Sequence, residues 1–268
     1  MGEVVLAIVN RAAEVETLLD AAARLLQIGG GGTLKALAIR TPPEATIMPT
    51  EEVMTAARAG VIRSEQNAWA VQVKDTVDAW ATHTHPAGVQ TRCADFEGDT
   101  AAIVTEHGQR ADAIVLGRPS DHDTPRAHDA LHAALFATSC PVLVVPARSA
   151  QPFGHVVAIA WKDDEHAAKA VRASLPILRQ ADQVHVLVAD GEPVVPAVLT
   201  EHGIAAAIHT VPDGPGSTGE QILAAASRLG ADMLVMGAFA HRAWTERLFG
   251  GVTRTVFAAA DIPVLMQH

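Results

Sequence analysis

Glycines at two points of the C-terminal half could bring backbone N–H groups close to an anion. Gly237 ends the apolar run ADMLVMG, and the pair Gly250–Gly251 opens a helix-like segment thirteen residues later. Glycine lets a backbone approach a phosphate closely, and the free N–H groups at the start of a helix favour anions. Val252 and Thr253 follow the pair, so this stretch is a candidate phosphate-binding turn.

Charged residues follow another apolar run of the same half, VVAIAW at 156–161. Lys162 comes directly after this run and could reach a phosphate. Asp163 and Asp164 stand where the next helix is expected to begin, a position typical of an N-cap. The alternative role for these two carboxylates is that of magnesium ligands.

The runs that carry these residues belong to a regular alternation of short Val/Ile/Leu-rich segments and longer Ala-rich amphipathic segments. This alternation is typical of a parallel sheet with crossover helices. Ser217 and Glu220 have the spacing of a capping box, and Asp99 stands at the equivalent place in the first half. The predicted strands are 4–9, 34–40, 89–93, 113–117, 141–145, 156–161, 184–189, 205–210, 233–237 and 263–266.

The two halves repeat the same order of five strands. The segment GQRADAIVLG at 108–117 matches SRLGADMLVMG at 227–237, and SCPVLVVP matches DIPVLMQ near the end of each half. This duplication predicts an α/β protein with two tandem five-stranded, mainly parallel open sheets and helices on both faces. The polar stretch PARSAQPFGH, with proline near both ends, joins the halves. The predicted domains are residues 1–148 and 153–268.

The first half lacks the glycine pattern. After its fourth strand it reads RPSDHDTPRAHDALHAALF, in which Asp121 and Asp123 would repel phosphates. Asn10, at the end of the first strand, could serve there as a hydrogen-bond partner. An extra helix predicted around 64–82 places Trp69 and Trp80 on one face, where packing against the sheet is the expected role and ligand stacking the alternative. We predict that this half is a structural partner of the other.

Composition excludes several classes of protein. The net charge is −10 and the basic residues are scattered, which argues against a nucleic-acid surface. No apolar run approaches the roughly 18–20 residues that span a bilayer, and the start has no signal-peptide pattern, so a cytoplasmic protein without membrane contact is expected. Cys93 and Cys140 make no disulfide framework, and no catalytic triad can be placed. His128 and His132 have a spacing that suits zinc, but we interpret them as a solvated face.

The order of residues from Gly237 to Thr253 resembles the universal stress protein family. Its nucleotide-binding members carry Gly-x2-Gly-x9-Gly followed by a small or hydroxyl residue, and FGGVTRTVFAAADIPVLM is the most specific part of the match. The resemblance covers nearly the whole chain and implies a tandem protein with a Rossmann-like fold of the adenine nucleotide alpha hydrolase type. It also implies that the final strands PVLVV and PVLM meet, because family members commonly dimerise through that edge.

The resemblance further implies a ligand, ATP or another adenine nucleotide, with or without Mg²⁺, in the second half alone. Two positions depart from the family pattern: Ala240 replaces the middle glycine, and Lys162 replaces an acidic residue at the end of the first strand. These changes cost about 1–2 and roughly 1.5–3 kcal/mol, so we predict weak, poorly base-selective binding. The implied site residues are Ala160, Trp161, Lys162, Gly237, Ala240, Gly250, Gly251, Val252 and Thr253.

Three functions follow from this pattern. The first is a nucleotide-responsive stress-response binding module, with protein partners that the sequence does not name and a homodimer as one assembly. The second is a scaffold or dimerisation protein of the same fold that has lost the ligand. The third, a weak ATPase, needs a positioned water and a metal ligand, which only Asp163 or Asp164 could supply, and we rank it last.

Overall fold

The computed structural model describes residues 3–46, 54–120, 123–147, 152–212, 214–238 and 251–268. Its internal contacts divide the chain into an N-terminal unit that ends at Thr138 and a C-terminal unit, Ser139–His268. Both units are built from parallel strands and helices in alternation, so the predicted α/β class is confirmed.

The described residues of the N-terminal unit form four strands and four helices. The strands are β1 (Val4–Val9), β2 (Gly32–Arg40), β3 (Val89–Glu97) and β4 (Ala113–Gly117), and the helices are α1 (Val15–Gly29), α2 (Ala56–Thr84), α3 (Thr100–Gly108) and α4 (Pro125–Phe136). Short 3-10 turns cover Ala12–Glu14 and Pro43–Thr46. The strands run parallel in the order β3-β2-β1-β4, which places the carboxyl ends of β1 and β2 side by side.

In the C-terminal unit, the part of the chain that the structure describes forms six strands and four helices. The strands are β5 (Val142–Val145), β6 (Val156–Trp161), β7 (Gln183–Val188), β8 (Ala207–Thr210), β9 (Met233–Gly237) and β10 (Val264–Gln267). The helices are α5 (Glu165–Leu178), α6 (Ala197–Glu201), α7 (Thr218–Arg228) and α8 (Gly251–Ala259). The order is β5-β10-β9-β6-β7-β8, and all neighbours are parallel except β5 and β10.

The final strands of the two repeats pair with one another in antiparallel register. Val144 faces Val264, Leu143 faces Leu265 and Val142 faces Met266. The expected meeting of these two strands is confirmed. The pairing gives β10 a hydrogen-bonded neighbour on the side that β9 leaves open, so that strand is not left as an unpaired edge. It also means that the C-terminal unit contains the last strand of the first repeat, whereas the sequence assigned that strand to the first sheet.

The helix starts follow the predicted caps. The side chain of Asp99 accepts a hydrogen bond from the N–H of Ala102 at 2.8 Å, and Asp164 accepts one from Ala167 at 2.9 Å. Ser217 and Glu220 form both hydrogen bonds of a capping box at the start of α7. The cap interpretation of Asp164 is therefore confirmed, and these caps determine where α3, α5 and α7 begin relative to the sheets.

Burial explains why the central strands read as continuous apolar runs. Every residue of β4 and β5 is buried, as expected for strands covered on both faces. Helix α2 spans 29 residues, and its buried positions include Trp80, whose Nε1–H donates to Asp20 of α1 at 2.8 Å. The packing role predicted for Trp80 is thus confirmed. Within the described residues, no helix is both long and apolar enough to cross a bilayer.

Candidate functional site

A cleft of about 210 Å³ lies at the carboxyl ends of β6, β7 and β9 in the C-terminal unit. In an open parallel sheet this edge is where ligands bind, because the loops that follow the strands converge there. The first turns of α5 and α8 line the same cleft. The N–H groups of a first turn have no partner within their own helix, so the start of α8 favours a negatively charged group. At the start of α5 the N–H of Ala167 already donates to the carboxylate of Asp164.

Most of the residues predicted from the sequence come together at this cleft. Those that line it are Ala160, Trp161, Lys162, Gly237, Gly251, Val252 and Thr253. The other two predicted residues, Ala240 and Gly250, lie outside the described residues. The structure therefore places the predicted phosphate side and the predicted adenine side next to one another.

Several lining residues were missed by the sequence analysis. They are His166, Ala167, Ala189, Asp190, Thr218, Ile222, Met236 and Ala238, and Asp164, named from the sequence as a cap or magnesium ligand, lines the cleft as well. The parallel register pairs Trp161 with Val188, so Lys162 and the segment Ala189–Asp190 leave the sheet side by side. This proximity follows from the strand order. The end of the predicted strand 184–189 could therefore have identified Ala189 and Asp190 from the sequence.

Gly237 is required by the protein's own packing. A Cβ at this position would lie 2.7 Å from the backbone nitrogen of Ala167 and 2.9 Å from the Cβ of His166. No side chain larger than hydrogen fits between the end of β9 and the first turn of α5. The absence of a side chain at Gly237 thus brings α5 close to the sheet, which narrows the cleft from that side.

Gly251, by contrast, is not constrained by packing against the residues that the structure describes. A Cβ at this position would meet no heavy atom of the described residues within 4 Å. Helix α8 is instead positioned by α7. A Cβ on Gly219 would lie 2.7 Å from the Cβ of Thr255, so the two helices are in close contact there. The hydroxyl of Ser217 also donates a hydrogen bond to the hydroxyl of Thr255 at 3.2 Å. The contact with α7 therefore fixes the start of α8, whereas a Cβ at Gly251 would contact no side chain of the described residues.

A pair of stacked imidazoles borders the cleft. The rings of His166 and His268 lie 4.6 Å apart at an angle of 26°, and Nδ1 of His268 lies 3.0 Å from the carbonyl oxygen of Ala238. Nδ1 of His166 is buried without a hydrogen-bond partner among the described residues. Burial, followed by the charge of His268, lowers the pKa of His166. The neutral imidazole is accordingly favoured at this wall.

Charge is unevenly distributed among the residues that line the cleft. Lys162 is exposed, and it is the one Lys or Arg among the described lining residues. Asp164 uses a carboxylate oxygen to cap α5, and Asp190 stands exposed after β7. The cleft can therefore attract an anion through Lys162 and the start of α8, while the carboxylates of Asp164 and Asp190 stand on the sides of α5 and β7.

The sequence of this unit places it in a known family. Residues 155–268 match the universal stress protein family. This segment is a universal stress protein domain. No curated protein matches the chain by sequence.

Solved structures share the fold over nearly the whole chain. A universal stress protein from Archaeoglobus fulgidus DSM 4304 gives a TM-score of 0.69 at 13% identity, covering 98% of this chain and 95% of that one. A putative universal stress protein from Pseudomonas aeruginosa UCBPP-PA14 gives a TM-score of 0.61 at 16% identity, covering 99% of this chain and 92% of that one. A functionally unknown protein from Pseudomonas aeruginosa PAO1 gives a TM-score of 0.59 at 16% identity, covering 99% of this chain and 92% of that one. At these identities the likeness concerns the fold.

The N-terminal unit differs from the universal stress protein domain at the corresponding edge, where β1 and β2 end. The guanidinium of Arg126, in the first turn of α4, donates to the carbonyl oxygens of Ile39 at 2.8 Å and Asn10 at 3.2 Å. It also lies over the ring of Trp69, 4.7 Å from the centroid. Burial lowers the pKa of Arg126. An arginine of the protein itself thus covers the edge that in the other unit borders the cleft.

Two further features mark this edge of the N-terminal unit: a buried amide nitrogen and a cluster of an arginine with two carboxylates. The side-chain nitrogen of Asn10 is buried and has no partner among the described residues. Arg11 donates to both carboxylate oxygens of Asp123, at 3.1 and 2.9 Å, and to the carboxylate of Glu14. Asp123, expected to repel phosphates, is paired with an arginine, and Asp121 lies outside the described residues.

The remaining titratable residues do not gather into a larger site. Among the described residues there is no group of three or more His, Cys, Asp or Glu side chains that could hold a metal ion. The ring of His132 packs on Phe136, and Nε2 of His128 lies 3.3 Å from the carbonyl oxygen of Ser120. Cys140 is buried, as predicted, and burial is the first cause that raises the pKa of the half-buried Cys93.

Proposed function

We propose that the protein is a cytoplasmic tandem universal stress protein whose C-terminal domain binds an adenine nucleotide weakly. The observation that carries this proposal is the convergence of seven predicted site residues on one cleft at the carboxyl edge of the sheet. The phosphates would lie at the start of α8, and the base would lie beside Ala160 and Trp161. The N-terminal domain would act as a structural partner.

The phosphate side supports the proposal most strongly. Backbone N–H groups at a helix start bind anions without help from a particular side chain. Among the described residues, no heavy atom lies within 4 Å of a Cβ at Gly251, and the packing of α8 against α7 fixes this position. Lys162 adds a mobile positive charge on the same cleft. Phosphate binding therefore remains feasible even though other family features have changed.

The sugar and base side supports only weak binding. A lysine stands after β6, where the family places a carboxylate, and a lost charged hydrogen bond costs roughly 1.5–3 kcal/mol. The cleft of about 210 Å³ is also smaller than the roughly 300–1,000 Å³ that is common for small-molecule sites. We infer that phosphate contacts contribute most of the affinity, so different nucleoside triphosphates should bind similarly.

Binding, and not hydrolysis, is the activity that we propose. A phosphoryl-transfer site needs a metal ligand and a residue that positions water. The carboxylate of Asp164, one of two candidates for the metal ligand, is engaged as the cap of α5. Any ATPase activity should accordingly be slow.

The test is calorimetric titration of the full chain with ATP, for the native protein and for Gly251→Val. A Cβ at this position meets no heavy atom of the described residues, so the Val side chain should abolish binding by occupying the phosphate side without disturbing the fold. Gly60→Val is the matched control, because a Cβ at Gly60 on α2 also meets open space. Binding that persists in Gly251→Val would contradict the site, and a native chain that binds no nucleotide would favour the scaffold function.

A further inference from the structure

Two histidines on neighbouring strands of the C-terminal unit face one another at close range. Nδ1 of His185 on β7 lies 3.1 Å from Nε2 of His209 on β8. The register pairs His185 with Ala207 and Leu187 with His209, so the two imidazoles occupy diagonal positions on one face of the sheet. Their ring centroids are 5.1 Å apart and the rings are tilted by 60°. We propose that this pair is a binding site for a divalent transition-metal ion such as Cu²⁺, Ni²⁺ or Zn²⁺.

The orientation of His185 is set by a third residue. Its other ring nitrogen, Nε2, lies 3.2 Å from the side-chain oxygen of Gln183, two residues earlier on the same strand. An amide oxygen can only accept, so Nε2 of a neutral His185 carries the proton and Nδ1 carries a lone pair. That lone pair points at His209. Histidines that bind metals typically donate their second N–H to such an acceptor, which fixes the tautomer.

The spacing of the two nitrogens suits a shared ion. Nitrogen ligands lie about 2.0–2.1 Å from such metals, and ligand angles run from roughly 90° in square-planar to 109° in tetrahedral sites. Two ligands at those distances and angles are about 2.9–3.3 Å apart. The observed 3.1 Å falls within this interval, so the separation of the two nitrogens fits a shared ion, which would replace the hydrogen bond that now joins the two rings.

Exposure leaves room for the other ligands. His185 is only 9% exposed, whereas His209 is half-buried and stands on the outermost strand of the unit. Water can therefore complete the coordination from the side of His209. Imidazole nitrogen favours transition metals over Mg²⁺, so Mg²⁺ should not compete.

The ion would hold β8 against β7. Strand β8 has four residues and a single neighbour in its unit, so few backbone hydrogen bonds retain it. A metal bound to both histidines would join the two strands through side chains. Because the ion binds the folded state, it should raise the midpoint of thermal unfolding as its concentration rises.

The experiment is calorimetric titration of the EDTA-treated full chain with NiCl₂ and, separately, ZnCl₂, with MgCl₂ as the negative control. We expect His209→Gln to weaken the tightest site by about tenfold or more, and Gln183→Leu, which frees the tautomer, by about tenfold. His202→Gln is the matched control, since it removes another exposed histidine of the same unit. Equal affinity in the native chain and in His209→Gln, or an equal loss in His202→Gln, would overturn the proposal.

A spectroscopic measurement keeps the test independent of the stability of these variants. In the native chain, zinc should shift the ¹⁵N resonances of Nδ1 of His185 and Nε2 of His209 together, while Nε2 of His185 stays protonated. Zinc-induced shifts confined to other histidines would overturn the proposal.

Discussion

The guanidinium carbon of Arg126 lies 4.7 Å from the centroid of the Trp69 ring. The same guanidinium donates to the carbonyl oxygens of Asn10, directly after β1, and of Ile39, near the end of β2. A planar cation therefore covers the N-terminal edge that corresponds to the proposed nucleotide side of the C-terminal cleft. Trp69 was expected to pack against the sheet, with ligand stacking as the alternative. Its observed partner is an arginine side chain of the protein.

Removing this arginine should destabilise the protein. Arg126→Ala leaves the carbonyl groups of Ile39 and Asn10 without their donor and removes the cation–π contact, so we expect a loss of about 1–3 kcal/mol in the free energy of unfolding. Arg126→Lys should recover little, because an ammonium cannot replace the planar fork. Urea unfolding measures the effect. Arg63→Ala, which removes an exposed arginine of α2, is the control, and an equal loss there would contradict the prediction.

Restoring the family pattern should strengthen nucleotide binding. The double substitution Ala240→Gly and Lys162→Asp returns the middle glycine and the strand-end carboxylate. We expect ATP to bind at least about tenfold more tightly, equivalent to ~1.4 kcal/mol. Calorimetry with ATP and GTP measures both affinity and base preference. An unchanged affinity would mean that another feature blocks the cleft, and ATP copurifying with the native chain would mean that our estimate of its weakness is wrong.

Gly237 and Gly251 should respond in opposite ways to the same substitution. Gly237→Ala forces a Cβ to within 2.7 Å of the first turn of α5, so overpacking should cost about 1–3 kcal/mol. Gly251→Ala adds a methyl group in open space at the start of α8, and should be neutral or slightly stabilising. Thermal unfolding of both variants compares them directly. A stable Gly237→Ala protein would show that α5 can shift away from the sheet.

Acid should destabilise the C-terminal unit through His166. Its folded-state pKa lies below the ordinary 6.5, so below about that pH the unfolded chain binds more protons than the folded chain. The free energy of unfolding should therefore decrease as the pH falls below about 6.5, and increase again as the pH returns to that value. His166→Asn should flatten this dependence between about pH 5 and 7, as measured by urea unfolding. His155→Asn, which replaces an exposed histidine, is the control. An unchanged slope in His166→Asn would contradict the prediction.

Local sequence features determined which elements form and several helix starts, although β3 extends to Glu97 instead of the predicted 93, and α2 spans Ala56–Thr84 where 64–82 was predicted. Continuous apolar runs identified the buried strands, and Asp99, Asp164 and Ser217 marked helix starts correctly, because capping involves residues only three positions apart. The carboxyl edge of a parallel sheet follows from element order, so the sequence also predicted that Lys162 and Gly237 would meet at one cleft.

Contacts between distant segments were decided only in the tertiary structure. Arg126 reaches Asn10 across 116 positions of sequence, and His185 meets His209 only because β8 pairs with β7 in one particular register. A shift of one residue would turn His209 to the other face of the sheet. The need for glycine at Gly237 likewise arises from the approach of α5, which composition and periodicity do not encode. Such contacts depend on the packing of whole elements, whereas strands and caps depend on their nearest neighbours in sequence.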